Sequence, residues 1–378
     1  MKTDPVQTDP VQTADEEDLR LLGASLRKLL DRAGGAGRAR ALRDRDRPWD
    51  PAMMAELAAA GVLGVAVPEA AGGLGMGLAA AGIVAAETGR ALAPEPVVPT
   101  IALAAGLLAR LCPEDPLTTR VIAGDEVLAL AWQDRAGTGP SAAERGADGR
   151  ITARRSWVAA TGLATGLLVV AGDPARPALV LVRPDAEGLE ITPRRQADGS
   201  TLAEIALSGT PAETLAEGPE VAAALAGAVA DATALCAAEL VGLCGRALEI
   251  TLDYIRTREQ FDRPIAAFQV IQHRAVDLRI QQDLAEATIA EALRRMDAAG
   301  PGPARAPEAS RAKARACATA RRITRDAIQL HGAVGYTDEY DIGLYLNRAL
   351  VLSAWLHDET HHRRLWLAAH QTTMEAAQ

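Results

Sequence analysis

Apolar residues recur at three- and four-residue intervals through the first third of the chain, a spacing that predicts helices. The runs LRLLGASLRKLLDRAG and PAMMAELAAAGVLGV show this spacing, and each run ends at a glycine. A glycine-rich loop, VPEAAGGLGMG, precedes two further helical runs, LAAAGIVAAETGRALA and TIALAAGLLARL. We therefore predict a helical domain over residues 16–125, after a disordered tail over residues 1–15 that contains the repeat TDPVQ-TDPVQ.

The pattern changes near residue 125 and changes back near residue 216. Between these points, short runs rich in Val, Ile and Leu are punctuated by Gly, Pro and Asp, which predicts a small β barrel or sandwich over residues 126–215. Helical periodicity returns over residues 216–378, where long antiparallel helices joined by short loops predict a four-helix bundle. The predicted bundle helices are Glu220–Arg258, Pro264–Ala299, Glu308–His331 and, as one or two helices, Ile342–Met374. The predicted fold is mainly α with a central β domain.

Composition excludes several classes of function. The 378 residues carry a net charge of -9, which argues against a surface that neutralises nucleic-acid phosphates. The four cysteines form no CxxC pair, so neither a zinc ribbon nor a disulfide framework fits. The acidic N-terminus lacks the apolar core of a signal peptide, and Pro68, Glu69 and Glu87 interrupt the apolar runs nearest to a membrane span. We expect a cytoplasmic protein with no nucleic-acid and no membrane partner.

Three motifs stand out within this order of domains. The first is Arg258-Glu259-Gln260-Phe261-Asp262-Arg263-Pro264-Ile265, followed by Phe268-Gln269 and His273; the second is QLHGAVGY, from Gln329 to Tyr336; the third is VPEAAGGLGMG…ETGRALAPEPVVPT. Together they resemble the acyl-CoA dehydrogenase family: the first resembles its R-x-x-F-G-x-P-I … F-Q hinge and the second its Q-x-x-G-G-x-G turn. The third is similar to the bacterial branch associated with steroid side chains and unusual acyl groups. The resemblance covers nearly the whole chain and implies the family's fold.

The chemistry of the first two motifs suits a dinucleotide. Arg258 offers a planar, permanently charged partner for the pyrophosphate of FAD. Gln260 and Gln269 can donate hydrogen bonds to phosphate or ribose oxygens, and Phe261 can lie against the adenine or the flavin. At the second motif, the resemblance assigns Gln329, Gly332 and Gly335 to the same cofactor, since glycine lets backbone N–H groups approach a ligand closely.

The resemblance also implies an assembly, because in the family these residues bind the adenine half of an FAD whose flavin lies in the neighbouring subunit. We therefore expect a homo- or hetero-oligomer, a dimer or tetramer. The competing interpretation is structural: Arg258 pairs with Glu259 or with a helix C-terminus, and the glycines form a C-cap turn.

The family reaction removes an α-proton from an acyl thioester, carried by CoA or a carrier protein, while the flavin accepts the β-hydride. Electrons then pass to an electron-transfer flavoprotein or a similar acceptor. A carboxylate base in a dry, apolar pocket is required. The two positions at which the family carries that base fall on Leu356, just before the family's G-T turn, and on Ala232, so neither is acidic.

Three other carboxylates are candidates for the base. Glu239 lies two helical turns beyond Ala232 on the same helix face, among apolar neighbours, and is the preferred candidate. Asp231 adjoins Ala232 but points about 100° away on an ideal helix. Asp358 lies half a turn past Leu356, where the family often has a hydroxyl that contacts the cofactor. The competing role for Glu239 is an ion pair with an arginine such as Arg246, or the capping of a loop.

The β domain departs from the family as well. Ala131–Gly137 replaces the T-E-P-x-x-G-S-D loop that holds flavin and thioester, and Trp157-Val158-Ala159 replaces the W-I-T strand. Trp157 keeps an aromatic wall for the flavin, although packing between domains would explain it equally well, and Ala159 lacks the hydroxyl. His357 and His361, one turn apart, superficially resemble a zinc site, but we expect no metal.

The adenine-binding residues therefore look intact, whereas the flavin-binding and proton-abstracting residues look degraded. This asymmetry suggests an active site shared with an unlike subunit. Two alternatives stay open: a flavin-dependent oxidase or monooxygenase on the same fold, and a non-catalytic partner subunit.

Overall fold

The computed structural model describes residues 15–45, 48–134, 143–146 and 148–376. The tandem repeat of the predicted tail lies outside the described residues. Asp15, the last residue of that predicted tail, is the N-cap of the first helix, where its carboxylate accepts a hydrogen bond from the backbone N–H of Asp18 at 2.8 Å.

Helices form both ends of the chain. Those before the β domain are α1 (Glu16–Arg32), α2 (Gly35–Leu42), α3 (Pro51–Ala59), α4 (Gly77–Ala91), α5 (Gly106–Leu111) and α6 (Pro116–Ile122), with a π-helix at Pro99–Ala105 leading into α5. Those after it are α7 (Pro219–Thr257), α8 (Gln269–Ala298), α9 (Ala306–His331), α10 (Ile342–Ala354) and α11 (Glu359–Ala376). The predicted fold class, with its helical start, central β domain and helical bundle, is confirmed.

The β domain is a sandwich of two four-stranded sheets, in the strand orders β1-β4-β5-β8 and β2-β3-β7-β6. Its strands are β1 (Leu128–Ala131), β2 (Glu144–Arg145), β3 (Ile151–Ala159), β4 (Gly166–Asp173), β5 (Arg176–Val182), β6 (Leu189–Arg195), β7 (Thr201–Thr210) and β8 (Glu213–Glu217). Leu167 and Val169 of β4 pack into the core between the sheets, whereas Leu168 and Val170 pack into the helical core. The first sheet is thus covered on both faces, which is why β4 and β5 are continuous apolar runs.

Helix α7 is the centre of the helical core and packs against α4, α8, α9 and α10. It is also long and apolar enough, by length and composition, to cross a membrane, so the expectation that no apolar run reaches that length is wrong. Because 72% of its apolar window is buried inside the protein, that apolar character is explained by the core.

The junction between α7 and α8 differs from the prediction. We predicted a helix from Pro264, but α8 begins at Gln269, and the residues before it form a hairpin of β9 (Glu259–Gln260) and β10 (Arg263–Pro264). The central residues of its turn, Phe261 and Asp262, have φ of 55° and 62°. A two-residue hairpin turn of the primed type requires positive φ, and non-glycine residues give little sequence signal for it.

The backbones of α4 and α7 approach each other closely at two glycines. A Cβ at Gly242 would lie 1.9 Å from the carbonyl oxygen of Ala86, and a Cβ at Gly89 would lie 2.1 Å from that of Glu239. Both distances are far below van der Waals contact, so these positions accept only glycine. The contact brings the end of α4 against the middle of α7, where Glu239 lies.

We predict that Gly242→Ala lowers the free energy of unfolding by about 3 kcal/mol, because α4 and α7 must separate to admit the methyl group. Gly37→Ala is the matched control: Gly37 is exposed in α2, with nothing within 4 Å of the added Cβ. That control should raise stability by about 0.5 kcal/mol. Urea denaturation measures both values, and equal effects of the two substitutions would contradict the assignment of a close helix crossing.

Candidate functional site

An aromatic cluster brings the first two sequence motifs to the same end of the bundle. Tyr254, near the end of α7, stacks on His331 at the end of α9 with ring centroids 4.4 Å apart, and its hydroxyl donates to the His331 carbonyl at 3.2 Å. Tyr340 lies 4.8 Å from the His331 ring. The hinge that follows Tyr254 and the turn that follows His331 are therefore neighbours, although they are far apart in sequence.

Burial favours the neutral form of His331. Its Nδ1 donates to the carbonyl of Ala327 at 2.8 Å, and burial lowers the pKa of the ring despite that bond. The neutral imidazole is the form that suits a stacked position between two tyrosines.

The polar residues predicted to bind FAD lie on the surface, at the end of the helical bundle that carries Tyr254 and His331. Arg258, Gln260, Gln269 and Gln329 are all exposed. Among the described residues Arg258 has no ion-pair partner, so the predicted alternative of a pair with Glu259 is not observed. Gln260 uses its amide N–H to donate to its neighbour's carbonyl at 2.8 Å. A free guanidinium beside exposed amides is the kind of donor set that binds phosphate oxygens.

The apolar and glycine residues of the two motifs surround those donors. The ring of Phe261 is 86% exposed at the tip of the hairpin. Gly332 has φ of 66° and open space beside its Cα, which leaves its backbone accessible. Gly335 is buried, and a Cβ there would lie 3.0 Å from the Ile328 carbonyl oxygen, so its glycine serves packing.

A cavity of about 110 Å³ lies elsewhere, where α2, the segment after α4, the β6–β7 turn and α10 meet. Most of its wall is apolar, with Leu92, Val97, Val351 and Leu352 among the contributing residues. Glu239 reaches it from α7.

The carboxylate of Glu239 is held by Arg348, an arginine outside the predicted site residues. Arg348 of α10 donates from Nε and from one terminal nitrogen to the same oxygen, Oε1, at 3.0 and 2.5 Å. Its other terminal nitrogen donates to Oδ2 of Asp198 at 2.8 Å. Burial opposes the charge of Arg348, but Glu239 and Asp198 outweigh it and raise the pKa of the guanidinium.

The role of Glu239 as a base stays a prediction. The competing role of Glu239, an ion pair with an arginine, is observed, and the partner is Arg348. Arg246 instead pairs with Glu249 at 3.0 Å. Loss of the Glu239 carboxylate would leave the partly buried Arg348 with one carboxylate partner instead of two, which is costly. The only sequence signal for Arg348 is a lone charge in the otherwise apolar run LYLNRALVL.

The other two carboxylate candidates have structural partners. Asp231 is buried and accepts from Arg305 at 2.7 Å and from Arg110, so both its oxygens are in ion pairs. Asp358 is exposed, and its Oδ1 accepts from the backbone N–H of His361 at 2.9 Å, as an N-cap of α11 does.

The turn between α10 and α11 is held through its carbonyl groups. The buried ammonium of Lys313 donates to the carbonyls of Leu352 at 2.5 Å and Trp355 at 2.8 Å. His362 Nε2 donates to the carbonyl of Leu356 at 2.7 Å. Leu356 and His357 have φ of 57° and 74°. Leu356 and Ala232, the vacant base positions, are both buried in the core.

The predicted flavin contacts in the β domain are only partly described. Residues 135–137 of the Ala131–Gly137 segment lie outside the described residues. Trp157 is 48% exposed, with φ of 61° at a bulge of β3. The rings of His357 and His361 stack 3.9 Å apart. Within the part of the chain that the structure describes, no three His, Cys, Asp or Glu side chains are placed to hold a metal ion.

Family models match both helical parts of the chain. The acyl-CoA dehydrogenase N-terminal domain matches residues 16–115, and the acyl-CoA dehydrogenase C-terminal domain matches residues 223–363. Acyl-CoA dehydrogenase IpdE2 of Mycobacterium tuberculosis is 31% identical over 334 residues, 88% of this chain and 91% of its own. The chain belongs to the acyl-CoA dehydrogenase family.

Two solved structures support the bacterial steroid-type branch of this family. A variant of the Tcur3481–Tcur3483 steroid ACAD is 30% identical, with a TM-score of 0.83, and the match covers 96% of this chain and 99% of that one. The ChsE4–ChsE5 complex from Mycobacterium tuberculosis is 27% identical, with a TM-score of 0.84, over 97% and 98% of the two chains. The predicted resemblance to this branch is confirmed, and the family is one of oxidoreductases.

We predict that His362 makes the stability of this dehydrogenase-family fold depend on pH. Burial lowers the pKa of His362 to about 4, and its Nδ1 lies 3.2 Å from the Ser310 hydroxyl, which can donate to the neutral ring. In the unfolded chain the pKa is about 6.5, so below that pH only the unfolded state takes up this proton. Stability is therefore full above pH 6.5 and falls towards pH 4.

The comparison is wild type against His362→Gln, which keeps an N–H donor for Leu356. Between pH 7 and pH 5, wild type should lose about 2 kcal/mol more of its free energy of unfolding than the variant. If the free energy of unfolding fell equally with pH in wild type and in His362→Gln, the His362 ring would not be held neutral in the folded state.

Proposed function

We propose that this chain is one subunit of a cytoplasmic flavoprotein that desaturates an acyl thioester, with each FAD site shared between this chain and an unlike member of the same family. One observation supports it above the others. The donors for the adenine half are exposed and Arg258 has no ion-pair partner in the part of the chain that the structure describes, whereas the base positions carry the buried apolar residues Leu356 and Ala232.

The residues of this chain fit the adenine and pyrophosphate half of FAD. Arg258 and Gln269 would hold the pyrophosphate, Gln260 and Gln329 the ribose or phosphate oxygens, and the open backbone at Gly332 admits a ligand close to the chain. Bound FAD supplies the acceptor for the β-hydride. Trp157 is the candidate wall for a flavin in this chain's own β domain, where Ala159 provides no hydroxyl.

The proton-abstracting base belongs, in this proposal, to the other subunit. Here Asp231 and Asp358 have structural partners, and Glu239 shares a buried ion pair with Arg348. Without a free carboxylate in an apolar pocket, α-proton removal lacks its acceptor. This chain would then bind and orient the adenine half of an FAD whose flavin lies in the active site of the neighbouring subunit.

An exposed apolar face on α8 supports association. Val276, Ile280 and Leu284 are spaced by four residues and are 57%, 48% and 50% exposed, and Val270 is 68% exposed. Side chains at this spacing share one face of a helix, and exposed apolar stripes are typical of subunit interfaces. The face begins beside Gln269, so a chain packed on α8 would lie next to the adenine-binding donors.

The related structures suggest which class of partner and which class of substrate to test first. The ChsE4–ChsE5 structure is a complex of two differently named chains, and the Tcur structure carries two chain names and the description steroid ACAD. We propose a steroid-derived acyl thioester, of CoA or a carrier protein, as the first substrate to test, with an electron-transfer flavoprotein or a similar carrier as acceptor.

We predict that the purified chain alone shows no flavin absorption, and that mixing it with an unlike family member from the same genome gives one FAD per pair of chains. Arg258→Ala in this chain should remove the FAD from the mixture, because the pyrophosphate loses its guanidinium. Arg256→Ala is the matched control, since Arg256 is also exposed and pairs with Asp253 at 3.4 Å.

One FAD per protomer in the chain alone would overturn the shared site. A mixture that stays colourless with every family member of that genome would overturn the flavoprotein role and favour a non-catalytic scaffold. Desaturation with an artificial electron acceptor then tests the reaction, and rapid oxygen consumption by the reduced complex would favour an oxidase or monooxygenase instead.

A further inference from the structure

Helix α2 forms part of the wall of the cavity between the β domain and the helical bundle, to which it contributes Ala39 and Arg43. Although it covers a cavity, α2 contains no buried residue of its own. Of the other helices and strands that the structure describes, only α1 packs closely against α2. The apolar residues of α2 that touch the main core are the alanines Ala36 and Ala39. Moving α2 away from the protein would therefore expose little apolar surface.

Ion pairs hold α2 in place instead. Their partners lie in the segment after α4, in the segment that leads into α10 and in β6, so α2 links the N-terminal domain to the bundle and to the β domain. The pairs are Arg38–Glu95, Arg40–Asp341 at 2.8 Å, Arg43–Asp338 at 2.6 Å and Asp44–Arg195 at 2.5 Å. When such a pair opens, water solvates both charges, so even a buried pair such as Arg38–Glu95 recovers its cost of desolvation.

The closed position leaves part of Arg40 unsatisfied. Nε and Nη2 of Arg40 are buried, and neither donates a hydrogen bond to any residue that the structure describes. A buried donor without an acceptor costs free energy. Movement of α2 into solvent would let water accept from both nitrogens, which lowers the cost of opening.

A glycine-rich segment at the start of α2 provides a hinge. Gly34 and Gly35 have φ of 106° and 48°, and a Cβ at Gly35 or Gly37 would meet no atom within 4 Å. Glycine has the greatest backbone freedom of any residue, and the open space at these positions leaves room for rotation. The hinge lies at the opposite end of α2 from Arg43.

We propose that residues 36–44, most of α2 and the two residues after it, form a strap that rotates about Gly34 and Gly35 and that its ion pairs hold closed over the cavity. Opening of the strap gives solvent access to the cavity while the rest of the fold stays intact. The proposal concerns access to the cavity and assigns no ligand to it. It depends on no FAD and no second chain, so it goes beyond the proposed function.

Ionic strength distinguishes a strap held by ion pairs from one held by apolar contacts. Raising KCl from about 0.1 M to about 1 M shortens the Debye length from about 10 Å to about 3 Å, which weakens exposed ion pairs. Hydrogen exchange of the purified full chain, read by mass spectrometry of its peptides, measures the opening of α2. Exchange in α2 should become about threefold faster or more at the higher concentration.

Helix α3 is the comparison within the same protein. It is almost as short as α2, but it buries Met53, Met54 and Leu57 and forms no ion pair with any described residue. Exchange in α3 should not become faster with KCl. An α2 whose exchange is unchanged by KCl, or an α3 that accelerates as much as α2, would overturn the proposal.

A cysteine in the cavity wall reports access to the cavity. Val97 is buried and contributes to that wall, so the thiol of Val97→Cys should react with iodoacetamide only when the strap is open. Its labelling should accelerate with KCl by about the same factor as exchange in α2. The native Cys244, completely buried in α7, is the internal control and should not accelerate. Equal acceleration at both cysteines would indicate unfolding of the whole chain, and no acceleration at Val97→Cys would show that α2 does not cover the cavity; either result would overturn the proposal.

Reversal of one ion pair tests directly what holds the strap closed. Arg40→Asp places two carboxylates opposite each other and should accelerate both exchange in α2 and labelling of Val97→Cys about fivefold. Asp341→Arg should have a similar effect. The double variant has an ion pair of reversed polarity, so both rates should return close to those of the parent protein.

Arg279→Asp is the matched control, since Arg279 pairs with Asp283 at 2.8 Å on the exposed surface of α8. It should leave both rates unchanged. Acceleration by this control, or a double variant that stays as fast as the single variants, would contradict the proposed role of the ion pairs. None of these measurements involves FAD, so their outcome is independent of whether the chain shares a flavin site.

Discussion

The need to bury α7 along most of its length is the constraint on which the rest of this structure depends. A helix of 39 residues rich in Ala and Leu has a large apolar surface that other elements must remove from water. Helix α4 covers one side of α7 through close contacts at glycines, and α8, α9 and α10 cover its other sides. The sheet β1-β4-β5-β8, which is buried on both faces, lies against the same core. Because every domain packs on α7, its buried residues have neighbours from several different parts of the chain.

This arrangement separates two kinds of polar group. Arg258 and the nearby amides, just after the end of α7, are exposed to solvent. In the middle of α7, Glu239 is buried and pairs with Arg348, which also pairs with Asp198. The helix therefore places exposed polar groups at its end and a buried ion pair in its middle, and the distance along the helix separates the two.

The spacing of apolar residues was sufficient to predict most of the fold, because an element that buries one face carries apolar residues at regular intervals in the sequence. The boundaries of α7 and α9 agree with the prediction within one or two residues. The hairpin before α8 was missed, since its turn uses Phe261 and Asp262 at positive φ instead of glycine.

The ion pairs that join Arg348 to Glu239 and Asp198 could not be predicted, for a different reason. They join residues 109 and 150 positions apart, and nothing in one sequence says which arginine crosses to which carboxylate. The exposed donors, by contrast, were predicted because they occur in contiguous motifs.

The turn between α10 and α11 is held by bonds to its backbone and not by the side chain at position 356. Lys313 and His362 hold this turn through the carbonyls of Leu352, Trp355 and Leu356, so the bonds that fix it involve no side chain at position 356. Leu356 contributes apolar burial at this turn. Because backbone carbonyls accept the bonds that hold the turn, its conformation does not depend on a carboxylate at position 356.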